Sequence, residues 1–279
     1  MRVPGHRAAP RAHGQLAGVG LTRQRREGQV GGYRLDSGPP VTVSRVSWDR
    51  IDSWWLEELA GDPAYHEEIN PLLVSLLRPQ PAALYVDLGC GEGRMLEVVS
   101  ARGSRVVGCD LSLLLLSRAI EHGPVVRCVL PDLGWIKPAS VDGAYAGLVL
   151  EHLRDEKAFF LAVADVVRPG GVLVVVINHP IWTAPQSSPI EDAGGEILWR
   201  PGVYFGRGQS REPAGTHKVV FYHRTMAALL TAAADAGWDL QELAEHGISP
   251  TQIARIPHYA GQEHIPRILG VRWQRRVDA

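Results

Sequence analysis

Three glycines at alternate positions, Gly89, Gly91 and Gly93, follow an apolar run that ends in Asp87. Such a run, passing through bare backbone into helix-forming residues from Arg94, reads as a buried strand, a tight loop and a helix against which a ligand can lie closely. The register narrows the ligand. A dinucleotide fingerprint needs its last glycine three positions after the second, where helix and strand pack around a pyrophosphate. Arg94 stands there instead, and the third glycine comes one position early. Asp87 would repel a pyrophosphate and suits a ligand carrying an ammonium group. Asp110 tops the next apolar run, 21 residues after Gly89. A carboxylate there can accept two hydrogen bonds from a ribose diol. The alternative is an acid placed at the N-terminus of the helix that follows.

Further segments arrive in order: Asp110-Leu111, then Asp132-Leu133, then a strand over 139–146 leading into Gly147-Leu148-Val149-Leu150-Glu151-His152-Leu153, and then Val167-Arg168-Pro169-Gly170-Gly171. With the Asp87-x-Gly89-x-Gly91-x-Gly93 loop, this series resembles the class I S-adenosylmethionine-dependent methyltransferases, in particular the small-molecule, type 11-like members, over residues 84–177 with a compatible tail to 273. The resemblance implies S-adenosylmethionine as cofactor. By the same resemblance the glycine loop and Asp87 hold its methionine end, Asp110 and Leu111 its ribose, Asp132 and Leu133 its adenine, and Leu148 lies at the strand end beneath the donor sulfur. A nicotinamide-dependent oxidoreductase conflicts with Arg94 and the early Gly93. A non-catalytic module that only binds the cofactor is the non-enzymatic alternative.

Methyl transfer from a sulfonium is an in-line displacement by a nucleophile, so the protein mainly aligns donor and acceptor and excludes water. A base is needed only where the acceptor must lose a proton. His179, after the fifth strand, is a candidate for deprotonating a hydroxyl or holding the acceptor; the alternative is a loop histidine bonded to backbone. His152 is a second candidate, against a histidine that only caps its segment. The expected acceptor is a small molecule, with oxygen as the receiving atom.

The elements that must position these residues alternate along the chain. Strands are expected at Ala83–Leu88, Arg105–Cys109, Val125–Val129, Val141–Ala146, Gly171–Ile177, Trp238–Leu243 and Arg267–Trp273. Helices are expected over 46–59, Tyr65–Leu77, Arg94–Ala101, Leu113–His122 with Ser112 as N-cap, Glu156–Val167 and Met226–Ala236. Alternation implies a parallel sheet with helices on both faces and a ligand at the carboxyl edge of its strands. The resemblance makes this an α/β, doubly wound, seven-stranded and mostly parallel sheet, a Rossmann-like fold with added N-terminal helices. A long connection over 180–222, carrying Trp182, Trp199, Tyr204, Phe205, Phe221 and Tyr222, is expected as a substrate lid. The alternative is a satellite core.

Composition sets the bounds. Residues 1–44 carry seven arginines against Glu27 and Asp36, have no helical or strand period, and are expected to be a disordered tail ahead of a domain over 45–279. That tail is expected to be either a nucleic-acid or partner-binding arm or an extension upstream of a native start at Val41 or Val43. With −1 over the whole chain and +5 over the tail, the remainder is at −6, which argues against nucleic acid as a partner. No run approaches a membrane span and no apolar signal core follows Met1, so a cytoplasmic location is expected. Cys90, Cys109 and Cys128 lack the close spacing of metal ligands and are expected to pack as small apolar side chains, with no metal site. Oligomeric state has no signature in the chain.

Overall fold

The computed structural model describes Leu56, residues 65–214 and residues 217–277. The tail over 1–44 and, Leu56 aside, the helix expected over 46–59 lie outside the described residues. A short π-helical turn, Tyr65–Ile69, leads into α1 (Asn70–Leu77). There follow β1 (Leu84–Leu88), α2 (Arg94–Ser100), β2 (Arg105–Asp110), α3 (Leu113–Ala119), β3 (Val125–Arg127) and β4 (Val141–Gly147). Next come α4 (Glu156–Val166), β5 (Val167–Asn178) and α5 (Pro180–Thr183). Four short strands succeed them: β6 (Ser188–Glu191), β7 (Ile197–Arg200), β8 (Gly208–Ala214) and β9 (His217–His223). The chain continues through α6 (Met226–Asp235), β10 (Trp238–His246), α7 (Pro250–Arg255) and β11 (Ile268–Arg275).

Seven strands form one sheet in the order β10-β11-β5-β4-β1-β2-β3. The pairs β1–β2, β1–β4, β2–β3 and β4–β5 are parallel, whereas β11 runs antiparallel between β5 and β10. This is the Rossmann-like methyltransferase sheet. Strand order reverses beside β1, which places the ligand crevice at the carboxyl ends of β1, β2 and β4.

Side chains alternate across the sheet with the period of two that a strand imposes. Val86, Ala144, Leu173 and Val175 point into a core with Phe159, Phe160, Leu229, Trp238 and Trp273, while Tyr85, Tyr145, Val174 and Val176 point into a second core with Leu72, Leu73, Leu76, Leu96 and Leu116. Both faces of β5 are buried, which is why it reads as an unbroken apolar run. Burying a phenylalanine such as Phe159 or Phe160 contributes about 1.5–3 kcal/mol.

Helix starts are set locally. Ser112, Asp155 and Thr225 each accept a hydrogen bond from the amide three residues on, at 3.2, 3.0 and 3.1 Å, and begin α3, α4 and α6. The fifth strand begins at Val167 rather than Gly171, because Val167 pairs with Val141 before the register shifts at Gly143 and Val172. Among the described residues, no helix is long and apolar enough to cross a membrane.

Candidate active site

The glycine loop has the geometry that its composition requires. Gly89 (φ +77°) passes so close to Val149 that a Cβ would lie 2.4 Å from Cγ2, and Gly93 (φ +90°) lies where a Cβ would come within 2.8 Å of the Ala119 Cα. Neither position tolerates a side chain. A Cβ on Gly91 would meet nothing within 4 Å, so there the loop presents bare backbone to open space.

That space is a cavity of about 440 Å³ at the carboxyl edge of the sheet. Asp87, Gly89, Gly91, Asp110, Leu111, Leu148 and His152 all line it. The wall beyond β3 is formed by Cys128, Val129, Leu130 and Pro131. Leu133, by contrast, is buried in the core, and Asp132 is exposed, with its Oδ1 accepting from the Gly134 amide at 3.1 Å. Neither lines the cavity, and nor does Gly93, which is the left-handed N-cap of α2.

Asp110 joins two parts of the site. Its Oδ2 accepts from the Gly91 amide at 3.0 Å and its Oδ1 from the Ser112 amide at 2.9 Å. Each carboxylate oxygen has a second lone pair, so capacity remains for a diol. Burial raises its pKa, while the amides of Ser112 and Gly91 pull it back.

Asp87 is 3% exposed, and its Oδ2 has no hydrogen-bond partner among the described residues. Burial pushes its pKa up to about 8; the Tyr145 hydroxyl opposes that rise and the Asp110 carboxylate adds to it. A buried acceptor without a donor is costly unless a ligand completes it. An ammonium group entering the cavity meets that demand, and the bare loop at Gly91 leaves room for it. The residues therefore fit the methionine end of S-adenosylmethionine.

His152 sits on the single turn after β4. Its Nδ1 lies 3.0 Å from the carbonyl oxygen of Val220 in β9. A carbonyl only accepts, so Nδ1 carries the proton and the neutral ring holds its lone pair on Nε2. The Phe221 ring packs edge-on against the imidazole at 4.6 Å. Burial lowers the His152 pKa to about 4, with Val220 opposing and the Arg224 charge assisting.

His179 lies elsewhere. It is buried as the N-cap of α5, where Nδ1 accepts from the Ile181 amide at 3.1 Å and Nε2 faces Glu245 at 2.7 Å. The structure does not bring it to the cavity.

Part of the connection over 180–222 forms a satellite core. Trp182 stacks on Trp199 with ring centroids 4.4 Å apart, and both pack with Ile248 and Tyr259 as a satellite core. Tyr222 lines the cavity. On the other side Tyr65, Ile69, Asn70 and Leu73 also line it. No local pattern marks these last four as site residues, since they meet the cavity only through tertiary packing; Tyr222 is one of the aromatics expected on the 180–222 connection.

Strand order, glycine loop and orphaned acid together define an α/β protein that holds a cationic, nucleoside-bearing cofactor at the carboxyl edge of its sheet. Residues 86–175 match the family described as a methyltransferase domain. The chain is 31% identical over 208 residues to a ubiquinone biosynthesis O-methyltransferase of Chromobacterium violaceum, covering 71% of this chain and 82% of that one. To the protein of the same name in Leptothrix cholodnii it is 28% identical over 220 residues, covering 74% and 86%. A crystal structure of an S-adenosylmethionine-dependent methyltransferase from Mesorhizobium loti superposes with a TM-score of 0.68 at 30% identity, covering 78% of this chain and all of that one. The chain belongs to the class I S-adenosylmethionine-dependent methyltransferases. It is an enzyme of that class, and its cofactor is S-adenosylmethionine; neither the nicotinamide reading nor the non-catalytic one is favoured.

Proposed function

We propose that the enzyme methylates an oxygen atom of a small, largely apolar acceptor, with His152 taking the hydroxyl proton. The observation that carries this reading is the placement of His152, on the same cavity as the glycine loop and held as a neutral ring with its lone pair on Nε2. The names of the two curated relatives, both O-methyltransferases, support the choice of oxygen.

S-adenosylmethionine, when bound, supplies a methyl group already activated on a sulfonium. Asp87 and the glycine loop hold the methionine end, and Asp110 the ribose, with Leu111 beside it. Cys128 to Pro131 bound the adenine end in this reading, and Asp132 and Leu133 support that wall from outside the cavity. Leu148 and Val149 form the floor between donor and acceptor. Tyr65, Ile69, Leu153 and Tyr222 shape an apolar acceptor end and exclude water. His152 then receives one proton at Nε2. Three free, buried cysteines accord with a reducing, cytoplasmic setting.

A turnover screen tests the acceptor atom. Simple phenols, amines and thiols are offered with S-adenosylmethionine, and the methylated products are identified by mass. An O-methylated phenol is expected, and products methylated solely on nitrogen or sulfur would overturn the reading.

A further inference from the structure

Arg224 lies between β9 and α6, 72 residues from His152 in sequence and 5% exposed. Its Nη1 donates to the Leu150 carbonyl at 2.8 Å and its Nη2 donates to the Leu153 carbonyl. Those two carbonyls bracket Glu151 and His152, so one planar guanidinium spans the turn that carries the histidine. Its Nε is 3.7 Å from the Glu156 Oε2. Glu156 in turn pairs with Arg207 at 2.9 Å, so its charge is divided between two arginines.

A buried arginine of this kind has an ordinary explanation, in that it satisfies two carbonyls at the end of a turn. Two further features go beyond it. The adjoining strand β9 supplies the Val220 carbonyl that sets the His152 tautomer, so clamp and tautomer come from one continuous segment, 220–224. The buried positive charge of Arg224 also opposes a second positive charge on the His152 ring.

Glu156, Glu151 and Asp155 all lie near enough to act on the Arg224 charge. Glu151 Oε1 accepts from the Asn178 amide and side chain at 3.3 and 3.0 Å. Asp155 is committed to capping α4. Arg154 and Tyr222 complete the ionisable residues of the cavity rim on this side.

We propose that Arg224 is a positioning residue for methyl transfer: it fixes the turn that presents His152, and its buried positive charge opposes a second one on the imidazole. This rests on the reading of His152 as the base, so the test separates the two. Burial and the Arg224 charge act in the same direction on that ring.

The full chain, labelled with ¹⁵N in its histidine rings, is titrated by NMR, with the His152 signals assigned by their loss in His152→Gln. In Arg224→Gln the His152 midpoint is expected to rise. In Arg224→Lys the charge remains but the bridge across two carbonyls is lost. The midpoint is then expected to stay near its wild-type value, while kcat with catechol as the probe acceptor falls roughly tenfold or more at an unchanged KM for S-adenosylmethionine. An unmoved midpoint in folded Arg224→Gln, or wild-type kcat in folded Arg224→Lys, overturns the proposal. Should Arg224→Gln fail to fold, Arg224→Lys decides alone. Full turnover by His152→Gln would end the base reading, whereas the Arg224→Gln midpoint still decides the coupling.

Discussion

Asp110 Oδ2 accepts a hydrogen bond from the Gly91 amide at 3.0 Å, tying the acid at the end of β2 to the loop at the end of β1. In the proposed reading the same carboxylate binds the ribose and also shapes the cradle for the methionine end. Asp110→Asn keeps the shape but loses the charge and replaces one acceptor by a donor. Cofactor affinity is expected to fall by roughly ten- to hundredfold, the equivalent of about 1.4–3 kcal/mol for hydrogen bonds to a charged group. Isothermal titration against the wild type measures it.

The glycines separate folding from binding. Gly93→Ala forces a Cβ against the Ala119 backbone at a positive φ. A loss of about 2 kcal/mol or more is expected, visible as a lower Tm. Gly91→Ala meets no protein atom, so its Tm is expected to drop by much less, while its methyl group intrudes on the cofactor cradle and weakens binding. Equal effects of the two substitutions on Tm would contradict this assignment.

Asp87 gives a pH signature. Its folded pKa, near 8, lies above the ordinary carboxylate value of 3.8. Between those values the folded enzyme keeps a proton that the unfolded chain has lost. This group therefore lowers stability as pH rises through that window and has no further effect above about 8. An ammonium bound beside Asp87 favours its ionised form. Binding S-adenosylmethionine at pH 7 is then expected to release roughly one proton. Titrations in buffers of differing ionisation enthalpy read that number, and Asp87→Asn is expected to abolish the release.

His152→Gln is expected to reduce kcat on a phenolic acceptor by about 10²- to 10⁴-fold while leaving cofactor affinity unchanged. In the wild type, burial places the acidic limb of kcat towards pH 4, so turnover is expected to be flat from neutrality down to well below the usual histidine range. An acidic limb at the ordinary value near 6.5 would show that the ring is not held as described.

Much of the fold is legible from local signals. Buried parallel strands are continuous apolar runs, and N-caps such as Ser112 sit one residue ahead of their helices, so β1 to β5 and α2 to α4 follow from pattern. Neighbours in the sheet do not. Nothing within Ile268–Arg275 states that β11 runs antiparallel between β5 and β10, because that choice depends on packing against strands far away in sequence. The hairpins within 180–222 were equally hidden, as their short strands lack a strong alternation.

The site shows the same division. Asp87, Gly91 and Asp110 are legible because a loop held against a ligand restricts residue type over a short span. His179 and His152 looked alike in sequence, each following a strand. Their difference arises from Glu245, 66 residues from His179, and from Val220, 68 residues from His152. Arg224 gave no local sign of burial at all.

S-adenosylmethionine is expected to bind in the cavity beneath Gly91. Calorimetric titration of the purified chain with S-adenosylmethionine, S-adenosylhomocysteine and NAD in parallel tests it most directly. Saturable one-to-one binding of both sulfur cofactors, each displacing the other, with no heat from NAD, is the expected result. Binding of NAD with none of either sulfur cofactor would contradict the account.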